Sequence, residues 1–159
     1  MKEYTITAHI HIYQYEELCE PDRQLIDAAK EATKRSYAPY SHFAVGAAVR
    51  LSDGTVVTGS NQENAAYPSG LCAERTTLFY ANARYPDQPV QTLAIAARTE
   101  KGFVEKPIPP CGACRQVILE TESRFKNPIR ILLSGEECIY EVAGIADLLP
   151  LSFEASSME

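Results

Sequence analysis

The sequence predicts an α/β protein with a mixed central sheet of about five strands flanked by helices. Three observations carry this expectation. Apolar runs of strand length alternate along the chain with segments of helical period, which is the signature of a sheet covered by helices. Two such runs flank Ser52-Asp53-Gly54, a turn signal that makes them a hairpin. Finally, 159 residues with 45% hydrophobic and 23% charged side chains suit one domain large enough to bury a core.

The elements are expected in the following order. Ile6, Ala8, Ile10 and Ile12 alternate with Thr5, Thr7, His9 and His11, the period of a half-buried strand within an N-terminal extension of about twenty residues. Glu20-Pro21-Asp22 opens a helix whose inner face is Leu25, Ala28, Ala29 and Ala32, and which stops before Pro39. Phe43 to Leu51 and Thr55 to Gly59 form the hairpin, and a loop from Asn64 to Gly70 leads into a helix from about Cys72 to Arg84. Thr92 to Ala97 reads as a buried strand, and a proline-rich loop (EKPIPP) then precedes a second cysteine-bearing helix, CGACRQVILETES. Ile129 to Leu133 is the last expected strand and Ala143 to Leu149 a short final helix, all within one domain spanning residues 1–159.

Charge and targeting signals narrow the partners. A formal net charge of −6 offers no electrostatic footprint for phosphate backbones, so nucleic acid is not expected as a partner. Lys34-Arg35 and Arg124 to Lys126 are too short to reverse that. No apolar run approaches the roughly 18 residues of a membrane span. The first fifteen residues lack a signal peptide's unbroken apolar stretch, so a cytoplasmic location is expected. In that reducing compartment the five cysteines are better explained by metal or catalysis than by disulfides.

Cys72-Ala73-Glu74 and Pro110-Cys111-Gly112-Ala113-Cys114 each stand where a loop becomes a helix, where free amides and the helix dipole favour thiolates. Cys111 and Cys114 are spaced for one ion, and Cys72 completes a three-thiolate set that leaves the fourth position of a tetrahedral zinc open, as a catalytic site requires. Glu74, two residues after a ligand, is placed to handle protons without being a ligand itself. Three thiolates and one Zn²⁺ sum to −1, and Arg75 is the candidate that offsets the excess. Other readings remain at this point. A structural four-cysteine site with Cys138 leaves Glu74 unexplained, a dithiol redox pair needs no third cysteine, and a non-catalytic zinc scaffold needs no open position. Cys19 reads as an unremarked thiol, and His9, His11 and His42 as surface residues more readily than ligands.

A ligand-x-Glu followed by Pro-Cys-x-x-Cys is the pattern of zinc deaminases acting on cytosine or adenine rings. The phrases YSHFAVGAAV, GSNQENAAYPSGLCAERTTLF, PCGACRQVILE and LLPLSF, from about Ala38 through Phe153, resemble the small homotetrameric zinc-dependent cytidine deaminases of the three-cysteine type. The PSG before Leu71 and the first twenty residues fall outside that pattern. The resemblance implies the three-layer fold of that family and one zinc per subunit. It further implies hydrolysis of cytidine and deoxycytidine to uridine and deoxyuridine with release of ammonia, as in pyrimidine salvage. In that chemistry hydroxide on the zinc attacks C4 and Glu74 shuttles the protons. It also implies that Asn61 and Glu63 bond the ribose 3′-hydroxyl, that Phe43 packs on the base, and that the Ala73 backbone meets the pyrimidine edge. Tyr67 and Phe153 match residues given to a neighbouring subunit's site. A deaminase of a nucleoside-like antibiotic such as blasticidin S is the nearest rival, and NQENAAY argues against it.

Overall fold

In a computed structural model, residues 1–158 are described. Seven strands and three helices form it: β1 (His11–Tyr13), α1 (Glu20–Ala32), β2 (Ala44–Leu51), β3 (Val56–Ser60), α2 (Ala73–Arg84), β4 (Val90–Thr99), β5 (Gly102–Phe103), α3 (Gly112–Phe125), β6 (Arg130–Ser134) and β7 (Ile139–Val142). The sheet order is β1-β7-β6-β4-β2-β3, with β5 paired to β4. Only β4 and β6 run parallel, and α3 makes the crossover between them. The mixed α/β fold expected from the sequence is therefore present.

The alternation along each central strand splits the core into two layers. Ala47, Val49, Ile95, Ile131 and Leu133 face α2 and α3. Ala48, Ala94, Ala96 and Leu132 face Leu25, Ile26 and Ala29 of α1. Small residues set how closely the helices approach. A Cβ on Gly46 would collide with the Ala29 carbonyl and lie 2.7 Å from the Thr33 nitrogen; one on Gly59 would lie 2.5 Å from Thr77 Oγ1. These glycines occupy adjacent registers of β2 and β3 and face opposite layers, so the sheet is pinched between α1 and α2 at this point.

Several elements differ from expectation. The strand expected over Ile6 to Ile12 is confined to His11–Tyr13, and Ile6 and Ile10 stand 40% and 47% exposed. It forms the edge of the sheet, pairing with three of the four residues of β7, from Ile139 to Glu141. The strand count rises from about five to seven because β5 and β7 are short pieces without a readable apolar period. The final helix is reduced to one 3-10 turn, Ile145–Asp147, with extended Gly144 before it and Pro150 shortly after.

At the end of the sheet where β2 finishes and β4 and β6 begin, one carboxylate ties the layers together. Asp22, at the start of α1, accepts from Arg50 Nη2 at 2.9 Å and pairs with Arg130. Arg50 also donates to Thr92 Oγ1 at 3.1 Å and to the Pro21 carbonyl at 2.9 Å. Arg130 in turn lies 3.6 Å from Glu141, which faces His11 on β1. Burial alone would raise the Asp22 carboxyl, but the arginine hydrogen bonds outweigh it and hold the group below its ordinary range.

Candidate active site

The opposite end of the sheet carries the two cysteine-bearing helix starts. Cys72 and Cys111 are the N-cap residues of α2 and α3, with extended backbones and no capping hydrogen bond from their side chains. Cys114 lies in the first turn of α3 and is fully buried. The Sγ atoms of Cys72 and Cys111 are 3.7 Å apart, and those of Cys111 and Cys114 3.5 Å. All three lie within 4.8 Å of one another. Sulfurs placed tetrahedrally about 2.3 Å from a zinc would be about 3.8 Å apart, so the cluster fits that ion closely. Cys138 lies in the turn between β6 and β7 and is not part of this group among the described residues.

The electrostatics favour a thiolate at Cys72. The Cys72 thiol is lowered to about 5, first by a hydrogen bond from Cys114 and further by Arg75. Cys114 moves the other way, because it supplies that hydrogen bond and is buried. Arg75 Nη2 approaches Cys72 Sγ at 3.7 Å, while its Nε is buried with no partner. The guanidinium is thus directed at the sulfur cluster, where the charge sum of −1 calls for a cation. Glu74, one residue earlier, is only 4% exposed. Burial pushes its carboxyl above the ordinary range, and the nearby Cys72 thiolate adds to that push.

A cavity of about 460 Å³ opens beside the cluster. Asn61, Glu63, Tyr67, Cys72 and Arg75 line it, so the fold brings these sequence-predicted residues together. Ala73 is buried in the first turn of α2. Phe43 precedes β2, is half-buried, and is not among the lining residues; its carbonyl accepts from Asn61 Nδ2 at 2.9 Å. Phe153 is also not among the lining residues of this cavity: its ring is 62% exposed and its carbonyl accepts from Gln116 Nε2. Sequence reasoning missed Tyr40 and Ser41, which line the same space. Tyr40 packs edge-on against Tyr67 with ring centroids 5.8 Å apart. The readable signal for Ser41 was its place two residues before Phe43, whose amide its hydroxyl accepts in a local turn.

A layered α/β sheet bearing an open three-thiolate cluster beside a buried carboxylate defines a zinc-dependent hydrolytic enzyme. Comparison with known proteins narrows the class. Residues 19–127 match the family described as the cytidine and deoxycytidylate deaminase zinc-binding region. The chain is 42% identical over 140 residues to a cytidine deaminase of Halalkalibacterium halodurans, covering 86% of this chain and 98% of that protein. It is 39% identical over 123 residues to a cytidine deaminase of Mycobacterium tuberculosis, covering 76% and 87%. Among solved structures, the cytidine deaminase of Burkholderia pseudomallei superposes with a TM-score of 0.70 at 42% identity, over 82% of this chain and 97% of that one. The protein belongs to the cytidine and deoxycytidylate deaminase family.

Proposed function

We propose that this protein deaminates free cytidine and deoxycytidine to uridine and deoxyuridine, releasing ammonia. The observation that carries the reading is Glu74, a carboxylate buried two residues from Cys72, whose sulfur belongs to the three-sulfur cluster and which itself lines the cavity, although Glu74 does not. Cys72, Cys111 and Cys114 would hold the zinc, which when bound supplies the Lewis acidity that makes water a nucleophile at neutral pH. Glu74 takes one proton from the attacking water and delivers it to ring N3, then takes the second from the resulting C4 hydroxyl and passes it to the amino group, which leaves as ammonia. Its withdrawal from solvent suits this work, because burial raises the proton affinity of the carboxyl and so makes it a better proton acceptor than an exposed one. Arg75 holds the Cys72 sulfur, and the Ala73 backbone, Phe43, Asn61 and Glu63 orient base and sugar. The uncompensated cations that a phosphate would need are missing from the cavity lining, where Arg75 is directed at Cys72.

The active unit we propose is a homotetramer with shared sites. Tyr67 and Phe153 support this, for both aromatic rings stand exposed, at 73% and 62%, on a single chain. Leu71, Phe79 and Tyr80 extend the exposed apolar surface nearby in sequence. A cytoplasmic role in pyrimidine salvage, with the whole chain acting as one domain, accords with the unpaired cysteines. No helix among the described residues is long and apolar enough to cross a membrane.

The direct test follows the ultraviolet change and ammonia release of the zinc-loaded protein with cytidine, deoxycytidine and deoxycytidine monophosphate. Both nucleosides should be turned over and the monophosphate left largely intact. Failure to convert either nucleoside would overturn the reading.

A further inference from the structure

The hydrogen-bond capacities of Asn61 and Glu63 can be counted, and most are already spent within the chain. Asn61 Oδ1 accepts from the Val45 amide at 2.8 Å and from the Ser36 hydroxyl, while one Nδ2 hydrogen goes to the Phe43 carbonyl at 2.9 Å. The two backbone partners fix which way the carboxamide faces, since an amide hydrogen must meet its oxygen and a carbonyl its nitrogen. One N–H remains. Glu63 Oε2 accepts from the amides of Tyr40 and Ser41 at 2.9 and 3.2 Å, and Oε1 accepts from the Ser41 hydroxyl. Four acceptor places less three leave one.

Ser41 is the junction of this arrangement. Its oxygen accepts from the Phe43 amide at 3.1 Å while its hydrogen goes to Glu63. Phe43 is therefore held at its N–H through Ser41 and at its carbonyl through Asn61. One hydroxyl joins the aromatic residue assigned to the base with the carboxylate assigned to the sugar.

We infer that Ser41 is a positioning residue that sets the site's selectivity for a sugar alcohol, by leaving Asn61 and Glu63 with a single free donor and a single free acceptor in the cavity. An alcohol offers both complements, whereas a hydrogen or an ether at the same carbon offers at most one. With the serine hydroxyl removed, Glu63 has two free acceptor places, loses its tie to Phe43, and is free to turn toward water. The Ser41 bond also holds the Glu63 carboxyl below its ordinary range. The inference rests on the reading of this cavity as a nucleoside site and goes beyond it by naming what enforces the sugar requirement.

The test compares kcat and KM for cytidine and 3′-deoxycytidine in the zinc-loaded full-length protein, Ser41→Ala and Ser41→Thr. The wild type should favour cytidine by on the order of 100-fold or more, because a site built to bond a hydroxyl rejects the analogue lacking it. Ser41→Ala should lose about tenfold of that preference, mainly through a higher KM for cytidine, and Ser41→Thr should restore it. Should Ser41→Ala lose zinc or fail to fold, Ser41→Cys, nearly isosteric and a weak donor, is held to the same criterion. A variant that keeps the full wild-type preference overturns the role of Ser41 alone. A wild type that converts both nucleosides equally overturns the sugar-binding reading of Asn61 and Glu63 beneath it.

Discussion

Asp22 and Glu74 occupy opposite ends of the same sheet and are almost equally withdrawn from water, with 2% and 4% exposure. Their surroundings push them in opposite directions. Asp22 meets two guanidinium groups that hold its carboxyl below the ordinary range, whereas burial and the neighbouring Cys72 thiolate push Glu74 above it. Burial is common to both, so what differs is compensation. A carboxylate whose hydrogen bonds are all supplied by the fold acts as a clamp; one left partly uncompensated keeps a proton-transfer capacity that chemistry can use.

Exchanging the members of this pair should separate activity from stability. Glu74→Gln should lower turnover of cytidine on the order of 10²- to 10⁴-fold, with zinc content and melting temperature near wild type. Metal analysis beside an ammonia-release assay would check it, and a nearly active variant would remove Glu74 from the mechanism. Asp22→Ala should do the reverse: it strands Arg50 and Arg130 and costs about 3 kcal/mol of unfolding free energy, measured by urea titration, while the folded fraction keeps its kcat. A smaller change is expected at Arg75→Ala, with zinc affinity or turnover reduced about 10- to 100-fold through loss of the contact to Cys72. If zinc content and kcat both stay at wild-type values, Arg75 does not compensate the cluster. The mildest contrast is in pH. The Asp22 carboxyl is lower in the folded than in the unfolded chain, so its stabilisation is fully present above the unfolded value and is lost as pH falls through the folded one. Acid unfolding below about pH 4 should therefore be less steep in Asp22→Asn than in wild type, as monitored by circular dichroism.

The two ends were not equally legible in the sequence. The thiolate end was, because two cysteines three apart on a helical turn have a fixed spacing, and a carboxylate two residues from a ligand is close to it whatever the loops do. The Asp22 clamp was not, since Arg50 and Arg130 come from distant strands and nothing local marks them as partners. Asn61 and Glu63 were singled out only through resemblance to a family. Their actual partners, the amides of Val45, Tyr40 and Ser41, belong to backbone that has no sequence pattern. At the N-terminus the alternation from Ile6 to Ile12 was real, but a strand needs backbone partners, and only His11 to Tyr13 find them, on three residues of β7.

The absent side chain of Gly59 works as a spacer of zero thickness beneath α2, the helix that carries Glu74. A methyl group there would press on Thr77, whose Oγ1 and amide would lie 2.5 and 3.1 Å away. Thr77 sits one helical turn after Glu74, so the relief of that pressure would tilt the first turn of α2 as a lever tilts about its fulcrum. A displacement of about 1 Å at a reacting group is enough to cost on the order of 100-fold in rate. The seat of Glu74 is thus machined partly by the strand beneath its helix, through an atom that is not there.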